Sequence, residues 1–391
     1  MRPAPAQTAF PFPGRVPYLD GLRGIAILLV IALHFLHLPF NPAKHPNSWF
    51  LPAYHLLGAG WVGVDLFFVL SGFLLGGVLM DNRGAQNLLR IFYLRRSARI
   101  IPAYFLLLLP LLIVPALGLA QRIPALGQLI STGQIPVWTY PVFLQNVAMT
   151  VCGSWGEAWI STTWSLAVEE QFYLMLPAII LLTPPRRLPA VLVVLALLAP
   201  VLRIALHLWA PQPHAEIGAY TLLPCRWDSL LLGVLAAWLV RHEPSHLWLR
   251  RQSATLRIGC LVLGATGLAM AIISPDLTTA LMDTVGYSLF GLFFATVLIS
   301  AEFGCLPGLV LVNWKPLRWV GRISYMLYLS HTAICSVIFH FLAHQPRSLN
   351  NARDAALMAL SFTASLLVAG LSWKLFEQPI LTSARKFAYQ A

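Results

Sequence analysis

The chain has 391 residues, of which 58% are hydrophobic and only 10% are charged, and its mean hydropathy is +0.73. Soluble domains carry about 25% charged residues, so this composition excludes an ordinary soluble fold and indicates a protein that crosses a membrane several times. The formal net charge of +12 would suggest nucleic-acid binding in a soluble protein, but here the positions of the basic residues favour a role in membrane topology.

Apolar runs of roughly 20 residues, the length that crosses the hydrocarbon core of a bilayer, recur along the whole chain. We therefore predict an all-α, polytopic transmembrane helical bundle with ten spans. The segment 137–151 is not counted as a span, because an eleventh span there would reverse the predicted inside–outside orientation of every later segment. The predicted spans are about 22–38, 59–80, 100–118, 162–182, 189–208, 225–240, 257–274, 282–301, 323–343 and 356–376.

The basic residues alternate between the connecting segments. Most of the 26 lysines and arginines lie in the segments that are inside if the N-terminus is inside. Cytoplasmic segments are enriched in Lys and Arg, so we expect both termini to be cytoplasmic and the 119–161 segment to face outward. The outer segments would contain only Lys44, Arg122, Arg347 and Arg353.

The domain organisation predicted from these spans is simple. Residues 1–18 are Pro-rich and lack the apolar core of a signal peptide, so we expect a cytoplasmic tail that is not cleaved. Residues 19–380 form one transmembrane domain, and 381–391 form a second cytoplasmic tail. We expect no added extracytoplasmic domain.

The run Leu19-Asp20-Gly21-Leu22-Arg23-Gly24 leads into an apolar stretch that carries His34. Arg23 and His34 are 11 positions apart, which in an α-helix is almost a whole number of turns and roughly 16 Å of rise. They are therefore predicted to share one face. The arginine could hold a phosphate while the imidazole meets a reactive group deeper in the membrane. Alternatively, the pair is an interfacial anchor and a structural histidine.

Further polar residues lie in or against the other spans. Each ionisable group at mid-membrane costs roughly 2.5–3.5 kcal/mol on insertion scales, so these groups must face one another or a wet cavity. Helical spacing puts Ser165, Glu169 and Tyr173 on one face of the fourth span. The others are Asp65 in the second span, Arg226 and Asp228 at the start of the sixth, and Ser324, Tyr328 and His331 on one face of the ninth.

An inner loop at 94–100 is predicted to carry Arg96 and Arg99 close together. Two arginines suit a phosphate, which a guanidinium grips with two hydrogen bonds. The alternative is an ordinary cationic anchor against anionic lipid. The five cysteines have no metal-ligand spacing, so no metal site is expected. Whether Cys152 and Cys225 form a disulfide stays open.

Taken in order, these motifs resemble the membrane-bound acyltransferase-3 family, bacterial integral-membrane enzymes that O-acylate glycans and some secondary metabolites. The likeness covers roughly residues 17 to 380. It implies an acyltransferase in the bacterial inner membrane, with cytoplasmic acyl-coenzyme A, most often acetyl-coenzyme A, as the donor. The motifs are Leu-Asp-Gly-Leu-Arg-Gly with Arg23 and His34, the segments 63–73, 164–173, 226–228 and 321–331, the pair Arg96 and Arg99, and Phe-Glu-Gln-Pro at 376–379.

The resemblance also suggests roles for the polar residues. Arg23, Arg96 and Arg99 would bind the phosphates of coenzyme A, and His34 would be the general base. Glu169 is the first choice for a carboxylate that orients His34, and Asp65 is the second. Direct transfer and an acyl-histidine intermediate both stay open. The expected substrate-binding residues are Tyr173, Arg226, Asp228, Tyr328 and His331.

The acceptor and the function class have alternatives. The leading acceptor is a hydroxyl of a glycan or a lipid-linked sugar, and a macrolide-type small molecule is the second. A proton-coupled transporter would also place ionisable groups inside ten spans, and it would move a substrate without consuming an acyl donor. A non-catalytic membrane scaffold would tolerate the loss of His34.

Overall fold

The computed structural model describes residues 16–45, 47–273, 279 and 281–390, so most of the predicted N-terminal tail, residues 1–15, lies outside it. Within those residues the secondary structure is helical, without a β-strand. Ten helical segments are long and apolar enough to cross a membrane, which confirms the predicted all-α architecture. Spans 1 to 10 are Pro17–His37, Leu51–Asp81, Leu88–Ala116, Ser161–Leu182, Leu188–Trp209, His214–Arg241, Ser253–Ile273, Met282–Glu302, Ser324–Ala343 and Ala352–Ala384.

Several spans consist of more than one helical piece. In span 1 the α-helix Pro17–Ala32 widens into a π-helical turn at Leu33–His37. The other composite spans are Leu51–Gly58, Ala59–Trp61 and Val62–Asp81 in span 2, Ser161–Thr163 and Trp164–Leu182 in span 4, His214–Thr221 and Leu223–Arg241 in span 6, Met282–Gly286 and Tyr287–Glu302 in span 8, and Ala352–Ser372, Trp373–Glu377 and Gln378–Ala384 in span 10.

Shorter helices connect the spans. The segment 137–151 contains only Val137–Thr139 and most of the helix Gln145–Cys152, so the decision not to count it as a span is confirmed. The remaining short helices are Pro42–Lys44, Leu119–Arg122, Pro124–Leu129, Glu243–Arg251, Leu309–Val312 and Lys315–Arg322.

The predicted inner loop at 94–100 is wrong. Span 3 begins at Leu88 and is one continuous helix to Ala116, so Arg96 and Arg99 lie within it, one turn apart. The helix starts early because Leu88, Ile91 and Phe92 bury an apolar face before the arginines. A hydropathy average over a window of about 19 residues does not detect a turn that is apolar on one side only.

The spans alternate in direction and define two faces of the bundle. We call the face at which Pro17 begins span 1 the first face, and the face that span 1 reaches at His37 the second face. On the first face, Arg83 donates hydrogen bonds to the carbonyl oxygens of Leu181 and Thr183, at 3.2 and 2.8 Å. On the second face, the backbone N–H of Leu349 donates to Pro39 at 3.0 Å.

Spans 2 and 6 form the centre of the bundle. In their most apolar stretches, 78% and 67% of the residues are buried, compared with 22% in spans 5, 7 and 10. The two central spans meet at glycines, because a Cβ atom on Gly72 would lie 1.9 Å from the carbonyl oxygen of Leu230 and one on Gly233 would lie 2.1 Å from that of Val69. Backbones approach this closely only where side chains are absent.

Glycines have the same function at the start of span 1, where Gly21 of the opening motif and Gly321 of the helix Lys315–Arg322 each approach a backbone. A Cβ atom on Gly21 would lie 1.7 Å from the carbonyl oxygen of Val312, and one on Gly321 would lie 1.7 Å from that of Asp20. The start of span 1 is therefore packed directly against the 308–322 region. Arg23, two residues further along span 1, lines an interior cavity that is described below.

Two buried ion pairs link span 2, span 5 and span 6. Arg226 donates to Asp65 at 2.8 Å, and Arg203 donates to Asp228 at 3.0 Å, with all four side chains at most 1% exposed. Ser229 also donates to Asp65 at 2.8 Å, and the guanidinium of Arg226 lies 4.0 Å from the centre of a tyrosine ring in span 8. Charges buried in this way require partners, and these partners connect three spans.

The cysteines are not paired. Cys152 and Cys225 are both free, as are the other three. The described part of the chain therefore contains no disulfide.

We expect the Asp65–Arg226 pair to be essential for stability. Asp65→Leu should lower the free energy of unfolding by about 3–5 kcal/mol, because it leaves Arg226 buried without its carboxylate. The double variant Asp65→Leu with Arg226→Leu should recover much of that loss. Thermal unfolding of the purified protein in detergent measures the stability of the single and the double variant. The matched control is Asp81→Leu at the Asp81–Arg241 pair, whose atoms are 2.7 Å apart. The Asp81 carboxylate is 40% exposed, so its replacement should lower the free energy of unfolding by less than about 1 kcal/mol. Equal effects at Asp65 and Asp81 would contradict the prediction.

Candidate active site

A cavity with about 800 Å³ of empty space lies among spans 1, 2, 3, 4 and 9. It brings together three arginines that are far apart in the sequence, Arg23 from span 1 and Arg96 and Arg99 from span 3. We call it the arginine cavity. The prediction that these three cations lie together agrees with this arrangement, although a helix rather than a loop carries two of them.

Arg96 and Arg99 line the cavity together because they are one helical turn apart on span 3. Arg23 reaches it from the first third of span 1 and also forms an ion pair with Asp20 at 3.4 Å. Three guanidinium groups around one cavity form a site for an anion with more than one charge.

The lining of the arginine cavity also contains a hydrogen-bonded cluster of Ser71, Glu169 and Tyr173. The Ser71 hydroxyl lies 3.1 Å from the Glu169 carboxylate and 2.8 Å from the Tyr173 hydroxyl, and Tyr173 donates directly to Glu169. Ser165, Glu169 and Tyr173 all line the cavity, so the predicted shared face of span 4 agrees with the structure. Ser71 was not identified from the sequence.

Tyr328 of span 9 is part of the lining of the arginine cavity. Its hydroxyl lies 2.6 Å from that of Ser165 and donates to the carbonyl oxygen of Thr162 at 3.0 Å. One turn further along span 9 is His331, which is fully buried and does not line the cavity. The ring centres of Tyr328 and His331 are 6.0 Å apart, so Tyr328 links the cavity lining to this histidine.

His331 lies against His34. Their ring centres are 5.1 Å apart, and the rings meet edge to face at 73°. His34 is carried by the π-helical turn of span 1, beyond the end of the regular α-helix at Ala32, so the ideal-helix geometry used for the Arg23–His34 prediction does not extend to His34.

Backbone carbonyl groups orient both imidazole rings. Nδ1 of His34 lies 2.8 Å from the carbonyl oxygen of Val30, and Nδ1 of His331 lies 2.8 Å from that of Tyr328. A carbonyl oxygen only accepts, so in the neutral rings Nδ1 carries the proton and Nε2 keeps its lone pair. Nε2 of His331 is buried and has no hydrogen-bond partner among the described residues. The geometry therefore leaves a proton-accepting nitrogen on each ring.

The carboxylate partner expected for His34 is not found beside it. Glu169 is hydrogen-bonded to Ser71 and Tyr173 in the arginine cavity, and Asp65 is paired with Arg226 in the centre of the bundle. Of the described carboxylates, none forms a hydrogen bond or ion pair with the His34 ring. Helical position alone cannot show which of several polar groups a side chain will meet.

Arg226 and Asp228 also lie elsewhere. Both are buried in the ion pairs that connect spans 2, 5 and 6, and neither lines the arginine cavity. Their separate location means that the sequence-predicted site residues fall into three groups, the cavity residues, the histidine pair and the buried ion pairs.

A second cavity, with about 1090 Å³ of empty space, opens at the second face beyond the histidine pair. Its polar lining includes Glu157, His340, His344 and Arg347, and Trp159 forms part of its wall. We call it the second-face cavity. Burial lowers the pKa of the Arg347 guanidinium from its ordinary value, but an arginine stays charged in this situation. From the sequence, Arg347 is predicted only to be one of the few outer basic residues.

Residues 16–371 match the family defined by an acyltransferase domain. Among curated proteins, the chain is 28% identical to "Peptidoglycan O-acetyltransferase OatA" of Listeria monocytogenes over 385 residues, which cover 93% of this chain and 56% of the relative. It is 28% identical to "Putative peptidoglycan O-acetyltransferase YrhL" of Bacillus subtilis over 387 residues, with 94% and 55% covered.

A third relative is "O-acetyltransferase OatA" of Staphylococcus aureus, which is 26% identical over 385 residues, covering 94% of this chain and 57% of the relative. The chain thus spans about half the length of the curated relatives it matches. No solved structure matches it significantly.

Proposed function

The chain belongs to the acyltransferase-3 family, and from that membership we propose that it is a multi-pass membrane O-acyltransferase that uses acyl-coenzyme A, most often acetyl-coenzyme A, as its donor. The acceptor in this proposal is a hydroxyl group of a glycan or a lipid-linked sugar. The observation that carries the proposal is the arginine cavity, with the histidine pair beyond Tyr328.

The arginine cavity suits the nucleotide end of coenzyme A. Coenzyme A carries several phosphate charges at one end and its thioester at the end of a long arm. Arg23, Arg96 and Arg99 would bind the phosphates, and the arm would extend past Tyr328 toward the histidines. From Arg23 to the end of the α-helix at Ala32 the rise is roughly 14 Å, and His34 follows in the π-helical turn, a separation that an extended arm can cover.

His34 is the proposed general base. In the reaction, the acceptor oxygen bonds to the thioester carbonyl carbon while the hydroxyl proton passes to Nε2 of His34. The C–S bond then breaks, and the departing thiolate takes the proton from the imidazolium, so that the products are an ester and free coenzyme A. The Nδ1 hydrogen bond to Val30 supports this role, because it leaves Nε2 with a lone pair.

The proposed orientation puts the first face in the cytoplasm of a bacterium, with the protein in the inner membrane. Acyl-coenzyme A is a cytoplasmic metabolite, and the basic residues concentrate in first-face segments. The second-face cavity would then receive the acceptor from outside. The names of two of the relatives specify peptidoglycan, which supports a glycan as that acceptor.

We expect His34→Ala to abolish acyl transfer while the protein still inserts and purifies. A general base typically contributes about 10²–10⁴-fold to the rate, so the loss should reach at least two orders of magnitude. Transfer is followed by release of free coenzyme A thiol and by the acyl mass increment on extracted glycans and lipids. The matched control is His55→Ala, which changes an exposed histidine in the helix Leu51–Gly58 of span 2. Full activity of His34→Ala would refute the assignment.

Alanine at Arg23, Arg96 or Arg99 should weaken donor binding. Loss of one charge-assisted hydrogen bond costs about 1.5–3 kcal/mol, which corresponds to roughly tenfold or more in Kd. Arg96→Lys should be intermediate, because it keeps the charge and loses the two-pronged geometry. Titration with acyl-coenzyme A measures each Kd.

The control for donor binding is Arg90→Ala, which changes an exposed arginine of the same helix that does not line the arginine cavity. Its donor affinity should match that of the unchanged protein. If the three cavity variants also keep the parental affinity, these arginines are topology anchors only.

Single cysteines introduced into a variant without the native five should report the orientation. Gly84→Cys is at an exposed first-face position with open space around it, and Gln128→Cys is at an exposed second-face position. On intact cells, a membrane-impermeant thiol reagent should label Gln128→Cys and not Gly84→Cys. After permeabilisation both should react. The reverse pattern on intact cells would put the arginine cavity on the wrong side for the donor.

A further inference from the structure

Arg347 is a cation inside the second-face cavity with an unsatisfied donor. Its Nη1 atom is buried and has no hydrogen-bond partner among the residues that the structure describes. No described carboxylate forms an ion pair with it, although Glu157 lines the same cavity. A buried donor nitrogen without a partner is costly, so an anionic ligand would stabilise this arrangement.

Arg347 lies in the connection between spans 9 and 10 and shares the second-face cavity with residues of span 9. One of these, Ser336, is five residues beyond His331 on the same helix. An anion bound to Arg347 would therefore lie at the second-face end of the helix that carries His331.

An apolar groove adjoins the second-face cavity. It contains about 840 Å³ of empty space between spans 3, 9 and 10, and its lining is almost entirely apolar. Leu129 and Trp159 line both the groove and the second-face cavity, so the two are continuous. Ser330, the residue before His331, is in the groove wall. The groove thus leads from the lipid-facing side of the bundle to the helix that carries the histidine.

We propose that the second-face cavity and the apolar groove together bind a lipid phosphate, with the phosphate on Arg347 and the hydrocarbon chain in the groove. The role of this lipid as the acyl acceptor, through a hydroxyl of a sugar that its phosphate carries, rests on the proposed function. A lipid explains both parts of the site, because a free anion would leave the groove unused and an uncharged lipid would leave Arg347 unpaired. Such an acceptor would reach the histidines sideways from the bilayer.

The proposal can be tested by equilibrium binding without any acyl donor. Tritiated hexadecyl phosphate is measured against purified protein in maltoside micelles, with hexadecanol and inorganic phosphate as competitors. Hexadecyl phosphate should bind roughly tenfold or more tightly than hexadecanol. This ratio corresponds to one charge-assisted hydrogen bond, which contributes about 1.5–3 kcal/mol. Inorganic phosphate should not compete at equal concentration.

Variants separate the two parts of the site. Arg347→Gln should remove the preference for hexadecyl phosphate over hexadecanol, and Arg347→Lys should keep part of it. Val337→Trp, which fills the groove, should weaken the binding of hexadecyl phosphate and of hexadecanol equally. The matched controls are Arg122→Gln, at an exposed second-face arginine, and Val201→Trp, at an exposed position of span 5 outside the groove. Both controls should bind like the parent.

Three results would overturn the inference: equal binding of the two ligands by the parent protein, a preference that survives Arg347→Gln, or effective competition by inorganic phosphate. Failure of the proposed function is a separate outcome. If hexadecyl phosphate binds through Arg347 but acyl-coenzyme A is never consumed, the lipid site stands and the acyltransferase proposal fails. If acyl-coenzyme A is consumed and hexadecyl phosphate does not bind, the reverse holds.

Discussion

A charged side chain within the hydrocarbon layer must have a partner of opposite charge or a polar cavity, and the rest of this structure depends on that constraint. Asp65 with Arg226 and Asp228 with Arg203 satisfy it by direct pairing at the centre of the bundle. Arg96 and Arg99 satisfy it differently, because they line a cavity, as does Arg23, which is also paired with Asp20. The first arrangement connects helices, and in the proposed function the second binds the anionic donor.

Span 2 participates in both arrangements. Asp65 and Ser71 are six residues apart on the helix Val62–Asp81, yet Asp65 is paired with span 6 while Ser71 is hydrogen-bonded to Glu169 in the arginine cavity. Close glycine contacts hold span 2 against span 6, so the ion pair and the cavity wall are parts of one rigid unit. Stability and site geometry are therefore coupled through this helix.

The two cavities have no lining residue in common. Span 9 passes from one to the other, with Tyr328 in the arginine cavity, His331 beside His34, and His340 in the second-face cavity. Along span 9, a tyrosine of the arginine cavity and the buried His331 thus come before the residues that line the second-face cavity. In the proposed function, donor and acceptor approach the histidines from opposite faces.

Much of the architecture could be predicted from the sequence. The number of spans follows from runs of apolar residues, because the thickness of the hydrocarbon core sets the length of a crossing helix. The common face of Ser165, Glu169 and Tyr173 follows from helical periodicity. The clustering of Arg23, Arg96 and Arg99 was expected because all three lie near the same end of their spans.

Only the tertiary structure decided which polar groups meet. The sequence predicted a carboxylate for His34, but the ring is oriented by the Val30 carbonyl and lies against His331. It assigned Arg226 to substrate, although Asp65 already compensates its charge, and it gave Arg347 no role in the site. Periodicity determines the face of a helix on which a residue lies. The partner on that face depends on how helices distant in sequence pack, and local sequence carries no record of that packing.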